Sequence, residues 1–257
     1  MSELESNFKL LWQGNHKPDM SPEETALMGG RLANRLSLIF IAGYQSAVRR
    51  TFHVDAERWS ALAVSEDRSG ELPGLTQDSE GLIQGYKTWV AAADQLDEMI
   101  VSVGALPQGK LYRVPLPTAG VSMTLKTDVK FLSDMSQGVA HFDNVTPDAL
   151  EGLPAVELKQ FARREPLYIY LALCGNLQAN GHPEAEGLIE RLMEVSEDDF
   201  SEETHKVIFA DVDLRLQELF GSPVERHLES NFEGDSAADW GLISLYSPVI
   251  QKRAGRG

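Results

Sequence analysis

The run Gly85-Tyr86-Lys87-Thr88-Trp89-Val90-Ala91-Ala92-Ala93 is led in by Ile83 and followed by Asp97 and Met99-Ile100-Val101. Aromatic and β-branched residues crowd into it and proline is absent, so residues 83–91 read as an extended strand. Similar short runs occupy residues 61–65, 99–103, 111–116, 121–125 and 139–145. Turn-forming pieces separate them: Ser69-Gly70, Pro73-Gly74, Pro107-Gln108-Gly109 and Thr118-Ala119-Gly120. The pattern predicts a small antiparallel sandwich or barrel over residues 57–150. Leu111, Arg113 and Pro115 alternate with Tyr112, Val114 and Leu116, the period of a half-buried strand, and Pro115 suggests an edge.

On either side the period changes to that of helices. Ser21-Pro22-Glu23-Glu24 combines an N-cap serine, a proline at the first helical position and the glutamate of a capping box. Leu27, Met28, Leu32, Leu36, Ile39, Phe40, Tyr44, Ala47 and Val48 then recur at spacings of three and four, which predicts one long helix to about Phe52. Arg31, Arg35, Arg49 and Arg50 read as a solvated face of that helix. Thr146-Pro147 signals a return to helix, with further helices over 156–178, 184–195, 202–219 and 237–253. The class is therefore α+β: an N-terminal helical segment (1–56), a central antiparallel β domain (57–150) and a C-terminal helical bundle (151–257).

Composition narrows the function. Among 257 residues, 39 acids against 23 bases leave a net charge of -16, and binding to nucleic acid requires clustered cations instead. A nucleotide cofactor stays possible, because a few placed cations and helix N-termini suffice to hold it. The longest apolar run, residues 36–42, is far short of the roughly 20 residues of a membrane span, and with the acidic N-terminus this points to the cytoplasm. The single cysteine, Cys174, sits in an apolar helix and reads as an inert buried thiol. The six histidines show no metal-ligand spacing, and His205 stands alone on its helix face, so no metal is expected.

Ala63-Val64-Ser65-Glu66, the Gly85–Ala93 run and Asp97 resemble, in order and spacing, the middle domain of the acyl-CoA dehydrogenases. That family carries an apolar-Ser/Thr-Glu strand end, then a Gly-x-Lys-x-Trp strand and an aspartate. Phe142-Asp143-Asn144-Val145-Thr146-Pro147 is similar to the family's exit from the same domain. The likeness covers roughly residues 60–150. Glu165–Ala179, with its Gly175 and Gln178-Ala179, is similar to the first helix of the family's C-terminal bundle, and Pro223-Val224-Glu225-Arg226 and Phe232-Glu233-Gly234 resemble later segments of it. Against the family, the N-terminal helical segment is reduced, the bundle is short, and the glycine-rich diphosphate segment shrinks to Phe220-Gly221-Ser222.

The resemblance implies FAD, with Val64, Ser65, Trp89, Val90 and Ala91 against the flavin ring. Ala91 departs from the family, which usually offers a hydroxyl there. It also implies α,β-dehydrogenation of an acyl-CoA or other acyl thioester, with Glu165 or Glu233 as the base that removes the α proton. Read without the resemblance, Trp89 is a core aromatic, Ser65 a turn former, Glu165 a helix-start residue and Glu233 a solvated corner. A second expectation follows from the shortened helices: a homologue without catalysis, serving as a binding or interaction subunit. Both anticipate a homo- or hetero-oligomer, since deleted walls expose apolar surface that association would cover.

Overall fold

The computed structural model describes residues 2–55, 57–104, 109–146, 151–154, 157–197, 200, 202–221 and 236–256. Three helices come first, α1 (Ser2–Asn15), α2 (Pro22–Leu32) and α3 (Leu36–Phe52). Eight strands follow: β1 (Ser60–Ala63), β2 (Thr76–Gln77), β3 (Ile83–Ala91), β4 (Glu98–Val103), β5 (Lys110–Pro115), β6 (Val121–Leu125), β7 (Gln137–Val145) and β8 (Glu151–Leu153). The remainder is α4 (Glu157–Ala179), α5 (Ala185–Glu197), α6 (Glu203–Gly221), α7 (Ser236–Ile243), a 3-10 turn (Ser244–Tyr246) and α8 (Ser247–Arg253). No helix among the described residues is long and apolar enough to cross a membrane.

The chain forms two compact units. The first holds Met1–Asn7, Val48–Val129 and Met135–Phe161; the second holds Phe8–Ala47, Lys130–Asp134 and Ala162–Gly257. In the first, two four-stranded sheets have the orders β1-β4-β5-β8 and β2-β3-β7-β6. Pairing is antiparallel except between β1 and β4, which run parallel from Ser60 opposite Glu98 to Ala63 opposite Val101. Ile83, Val90, Ala91, Ile100, Val101, Val114 and Phe142 fill the core. Irregular register on β3 between Lys87 and Val90 marks a bulge at Thr88-Trp89. Beyond the reach of β8, which pairs only with residues 111–113, Pro115 leaves one side of β5 without a ladder to disrupt.

The residues that carry the family resemblance hold this unit together. Gly85 has a φ of 122°, and a Cβ there would run into the carbonyl of Gly74, so no other residue fits. Lys87 is fully buried; its Nζ donates to Glu66 Oε1 at 2.5 Å and to Ser102 Oγ at 3.0 Å, tying β3 to the end of β1 and to β4. Burial pulls the Lys87 ammonium below its ordinary value, and the Glu66 carboxylate opposes that. Asp97 accepts the Trp59 N–H on its carboxylate at 2.8 Å and fixes the start of β1.

In the second unit α2 and α3 pack on α4. The expected single helix to Phe52 is in fact two, broken after Leu32, where Ala33 turns extended with ψ 135°. The buried amide of Asn176 on α4 donates to the carbonyls of Gly30 and Ala33, at 3.3 and 2.8 Å, and so satisfies the groups the break frees. The apolar stripe runs through the break undisturbed, which is why periodicity alone misses it. Other boundaries also move. The return to helix expected from Thr146-Pro147 is preceded by β8, whose Glu151 pairs with Arg113 at 3.1 Å, while α4 starts at Glu157, one residue from the expected 156; residues 147–150 lie outside the described residues. The last expected helix is divided by the 3-10 turn, Pro248 opening α8. The capping box at Ser21 and Glu24 forms as its sequence predicts.

Three glycines let these helices approach backbone to backbone. A Cβ on Gly30 would strike the carbonyl of Ala172, one on Gly43 the backbone of Ile169, and one on Gly175 the carbonyl of Leu27. Gly43→Ala therefore should lower unfolding free energy by about 1–3 kcal/mol through overpacking. Gly187, exposed on α5 with nothing within 4 Å of its Cβ position, is the control: Gly187→Ala should be neutral or stabilise by up to about 1 kcal/mol. Urea midpoints of the two variants measure the contrast.

Candidate functional site

Within the first unit, the Thr88 N–H donates to the Ser65 carbonyl at 2.8 Å, which brings the strand end Val64-Ser65 beside Trp89-Val90-Ala91. Val64 is half-buried and Ser65 exposed. Only its carbonyl is engaged among the described residues, so the Ser65 hydroxyl and N–H are open donors at an accessible strand end. Trp89 is half-buried and gives its indole N–H to Gln137 Oε1 at 3.0 Å, which fixes the ring plane and removes that donor from any ligand. Val90 and Ala91 are fully buried. Three of the five candidates thus present surface that a planar, polar-edged ring could use, and two are enclosed in the core. A flavin ring placed here would meet a hydroxyl and an N–H at Ser65, apolar surface at Val64 and Trp89, and no side-chain hydroxyl from Ala91.

A buried carboxyl lies next to this strand. Glu5 on α1 accepts the Ser136 N–H at 3.3 Å, while its second oxygen has no partner. Ser136 in turn accepts the Ala93 N–H at 3.2 Å and, on its hydroxyl, the Asp94 N–H at 2.9 Å. Burial pushes the Glu5 carboxyl up to about 7, and the Ser136 bonds oppose the rise.

In the second unit Glu165 stands on α4 just before Pro166, which lacks the N–H that would close the helical turn. Part of its residue surface remains accessible, yet the carboxyl is enclosed, and burial pushes it up to about 7. A hydrogen bond from the Tyr246 hydroxyl favours the carboxylate and limits that rise. The Tyr246 hydroxyl is itself held well above its ordinary value, first by burial and then by the negative charge of Glu165, with Tyr44 and Tyr170 close by. Glu233, the other candidate base, lies outside the described residues.

Behind Glu165 is a second carboxylate that the sequence did not single out. Asp213 on α6 is fully buried and has no cationic partner among the described residues. It accepts the hydroxyls of Tyr170 at 2.6 Å and Ser247 at 2.7 Å, and the amide of Gln251 at 2.6 Å. These bonds anchor α8 and the 3-10 turn that carries Tyr246. Neither Tyr246 nor Asp213 sits in a recognisable motif; their only signal is polar character at positions a helix buries. Cys174 is fully buried, with its thiol pushed up by burial, and buried His205 lies 4.0 Å from Glu194.

No family model matches the sequence, and no curated protein matches it. Solved structures do. The chain is similar to an acyl-CoA dehydrogenase from Geobacillus kaustophilus, with TM-score 0.66 at 12% identity over 98% of this chain and 89% of that one. An FAD-dependent dehydrogenase gives TM-score 0.63 at 14% identity over 98% and 93%. Butyryl-CoA dehydrogenase from Megasphaera elsdenii gives 0.57 at 12% identity over 98% and 88%. The fold is that of the acyl-CoA dehydrogenases.

The two raised carboxyls make stability fall with rising pH between about 4.5 and 7. Glu5 and Glu165 move from 4.5 to about 7 on folding, so the folded chain holds more protons than the unfolded one between those values. Their contribution is complete below about pH 4.5 and is lost as pH rises through 7, on the order of 3 kcal/mol for each. Glu165→Gln should therefore remove about half of the decline. It should match the parent near pH 5 and exceed it by roughly 2 kcal/mol at pH 8 in urea unfolding. An unchanged slope would contradict the assigned protonation.

Proposed function

We propose that this chain is a flavin-dependent oxidoreductase that dehydrogenates an acyl thioester between its α and β carbons. The observation that carries the reading is the Glu165 carboxyl, enclosed beside Tyr246 with a proton affinity near neutrality. A proton α to a thioester carbonyl is weakly acidic, and a base serves best when its pKa lies near the working pH. Glu165 as carboxylate would take that proton onto an oxygen, and the Tyr246 hydroxyl, bonded to the same carboxylate, would hold it in place. The enclosing side chains exclude water and keep the charge from being solvated before transfer. Bound flavin supplies the acceptor for the hydride that leaves the β carbon. Ser65, with its unused hydroxyl and N–H, would bind the polar edge of the ring, and Val64 and Trp89 its apolar part. FAD as the particular flavin, an acyl-CoA as the thioester, and Glu233 as a rival base belong to the same proposal.

Association with further subunits is part of it. Leu214, Leu245 and Val249 are exposed apolar residues on α6, the 3-10 turn and α8, at 46%, 68% and 51% of their full surface, and a homo- or hetero-oligomeric contact would cover them. The methyl group of Ala91, in place of a hydroxyl, favours a second reading, a flavin-free homologue that acts as an interaction subunit.

Purified protein should show flavin absorbance, either as isolated or after addition of FAD. Ser65→Ala should weaken FAD binding about three- to tenfold, the equivalent of one hydrogen bond. Under anaerobic conditions an acyl-CoA should bleach the flavin, and Glu165→Gln should slow this by about 10²–10⁴-fold at unchanged FAD content, with Glu233→Gln assayed in parallel. A colourless protein that ignores added FAD would refute the oxidoreductase and leave the interaction subunit.

A further inference from the structure

The second unit contains a pocket of about 140 Å³ lined by Arg163 of α4, Phe200, Lys206 and Phe209 of α6, and Ile250 and Arg253 of α8. It is built from two helical pairs three residues apart, Lys206 with Phe209 and Ile250 with Arg253, so each helix contributes one cation at the mouth and one apolar group at the base. Phe209 and Ile250 are buried, at 4% and 3% exposure, whereas Arg163 and Arg253 are exposed. Phe200 meets Phe209 edge to face, ring centroids 5.3 Å apart, and closes one wall.

The charge distribution at the mouth is unusual for a chain with a net charge of -16. Four other arginines of this unit are ion-paired, Arg35 with Asp134, Arg191 and Arg256 with Asp211, and Arg215 with Glu184 and Glu218, and Arg31 bonds to the neutral amide of Gln178. Arg163 and Arg253 have no acidic partner among the described residues, although acids outnumber bases in the chain. Lys206 is bonded to Glu203, which leaves the two guanidinium groups as the free charge. Burial first, and then the charge of Arg163, pull Arg253 below its ordinary value, so the two guanidinium groups lie near enough to repel.

We infer that this pocket binds a small organic monoanion, a carboxylate carried on a ring-sized apolar body. An apolar cavity of about 150 Å³ is known to accommodate benzene, which sets the size of that body. Guanidinium forks match a carboxylate in plane and can hold it with two parallel bonds. The cations sit at the rim in contact with solvent, so the interaction is modest and sensitive to salt. Arg163 and Glu165 are two residues apart on α4 and project about 200° apart around it. The anion pocket and the candidate base are therefore on different faces of the helix, and the pocket can be tested without reference to catalysis.

Titration calorimetry on the full chain with benzoate, benzamide and acetate tests the inference. Benzoate should bind, and benzamide, which keeps the ring without the charge, and acetate, which keeps the charge without the ring, should each bind at least tenfold more weakly. Arg163→Gln and Arg253→Gln should each weaken benzoate at least fivefold while leaving the melting temperature within a few degrees of the parent. Raising salt from about 0.05 M to 0.5 M should weaken it in the parent and have little effect in the double variant. Absence of benzoate binding, equal binding in the arginine variants, or acetate as tight as benzoate would each overturn the proposal.

Discussion

Lys87 is the side chain around which the first unit is arranged. A buried ammonium is costly unless every donor direction finds an acceptor, and here Glu66 in the segment after β1 and Ser102 on β4 supply two of them. Satisfying that one charge fixes the distance between β3 and β4, and it holds the segment after β1 against β3. Once Glu66 is held, Ser65 has little choice of position, and its carbonyl meets the Thr88 N–H. The candidate flavin platform is thus a by-product of charge burial one residue away. A chain could keep the platform's geometry for this reason alone, so geometry and cofactor binding are separable questions.

Legibility in the sequence varied with the kind of information each element needed. β3 and β6 follow the runs read from the sequence residue for residue, because their side chains carry both the β propensity and the turn residues that bound them. The break between α2 and α3 depends on Asn176, about 140 positions away, and no local pattern can report a distant cap. β8 has three residues, too few to show a period. The first helix, α1, likewise passed unread, although Phe8 and Trp12 give it a buried face.

The site divides the same way. The candidates Val64, Ser65, Trp89, Val90, Ala91 and Glu165 could be named from the resemblance, because strands and helices keep their order along the chain, although Glu165, read as a helix-start residue, lies eight positions inside α4, which begins at Glu157. What surrounds Glu165 could not. Its proton affinity comes from enclosure and from Tyr246, a residue from the far end of the chain whose place depends on Asp213. Several residues that made the resemblance recognisable, Gly85, Lys87 and Asp97 among them, serve the framework of the β unit. A motif match of this kind therefore speaks first for architecture.

The backbone contacts at Gly30, Gly43 and Gly175 bear on how a fold can be shared with so little likeness of sequence. A joint made by the absence of side chains constrains three positions and says almost nothing about the rest of the helices that meet there. Substitutions can accumulate across the outer faces, and across apolar positions that keep their volume, without moving the helix axes. The fold can then be kept by sequences that share little else. In such a chain the shape is held where helices touch, by the residues least able to register as a pattern.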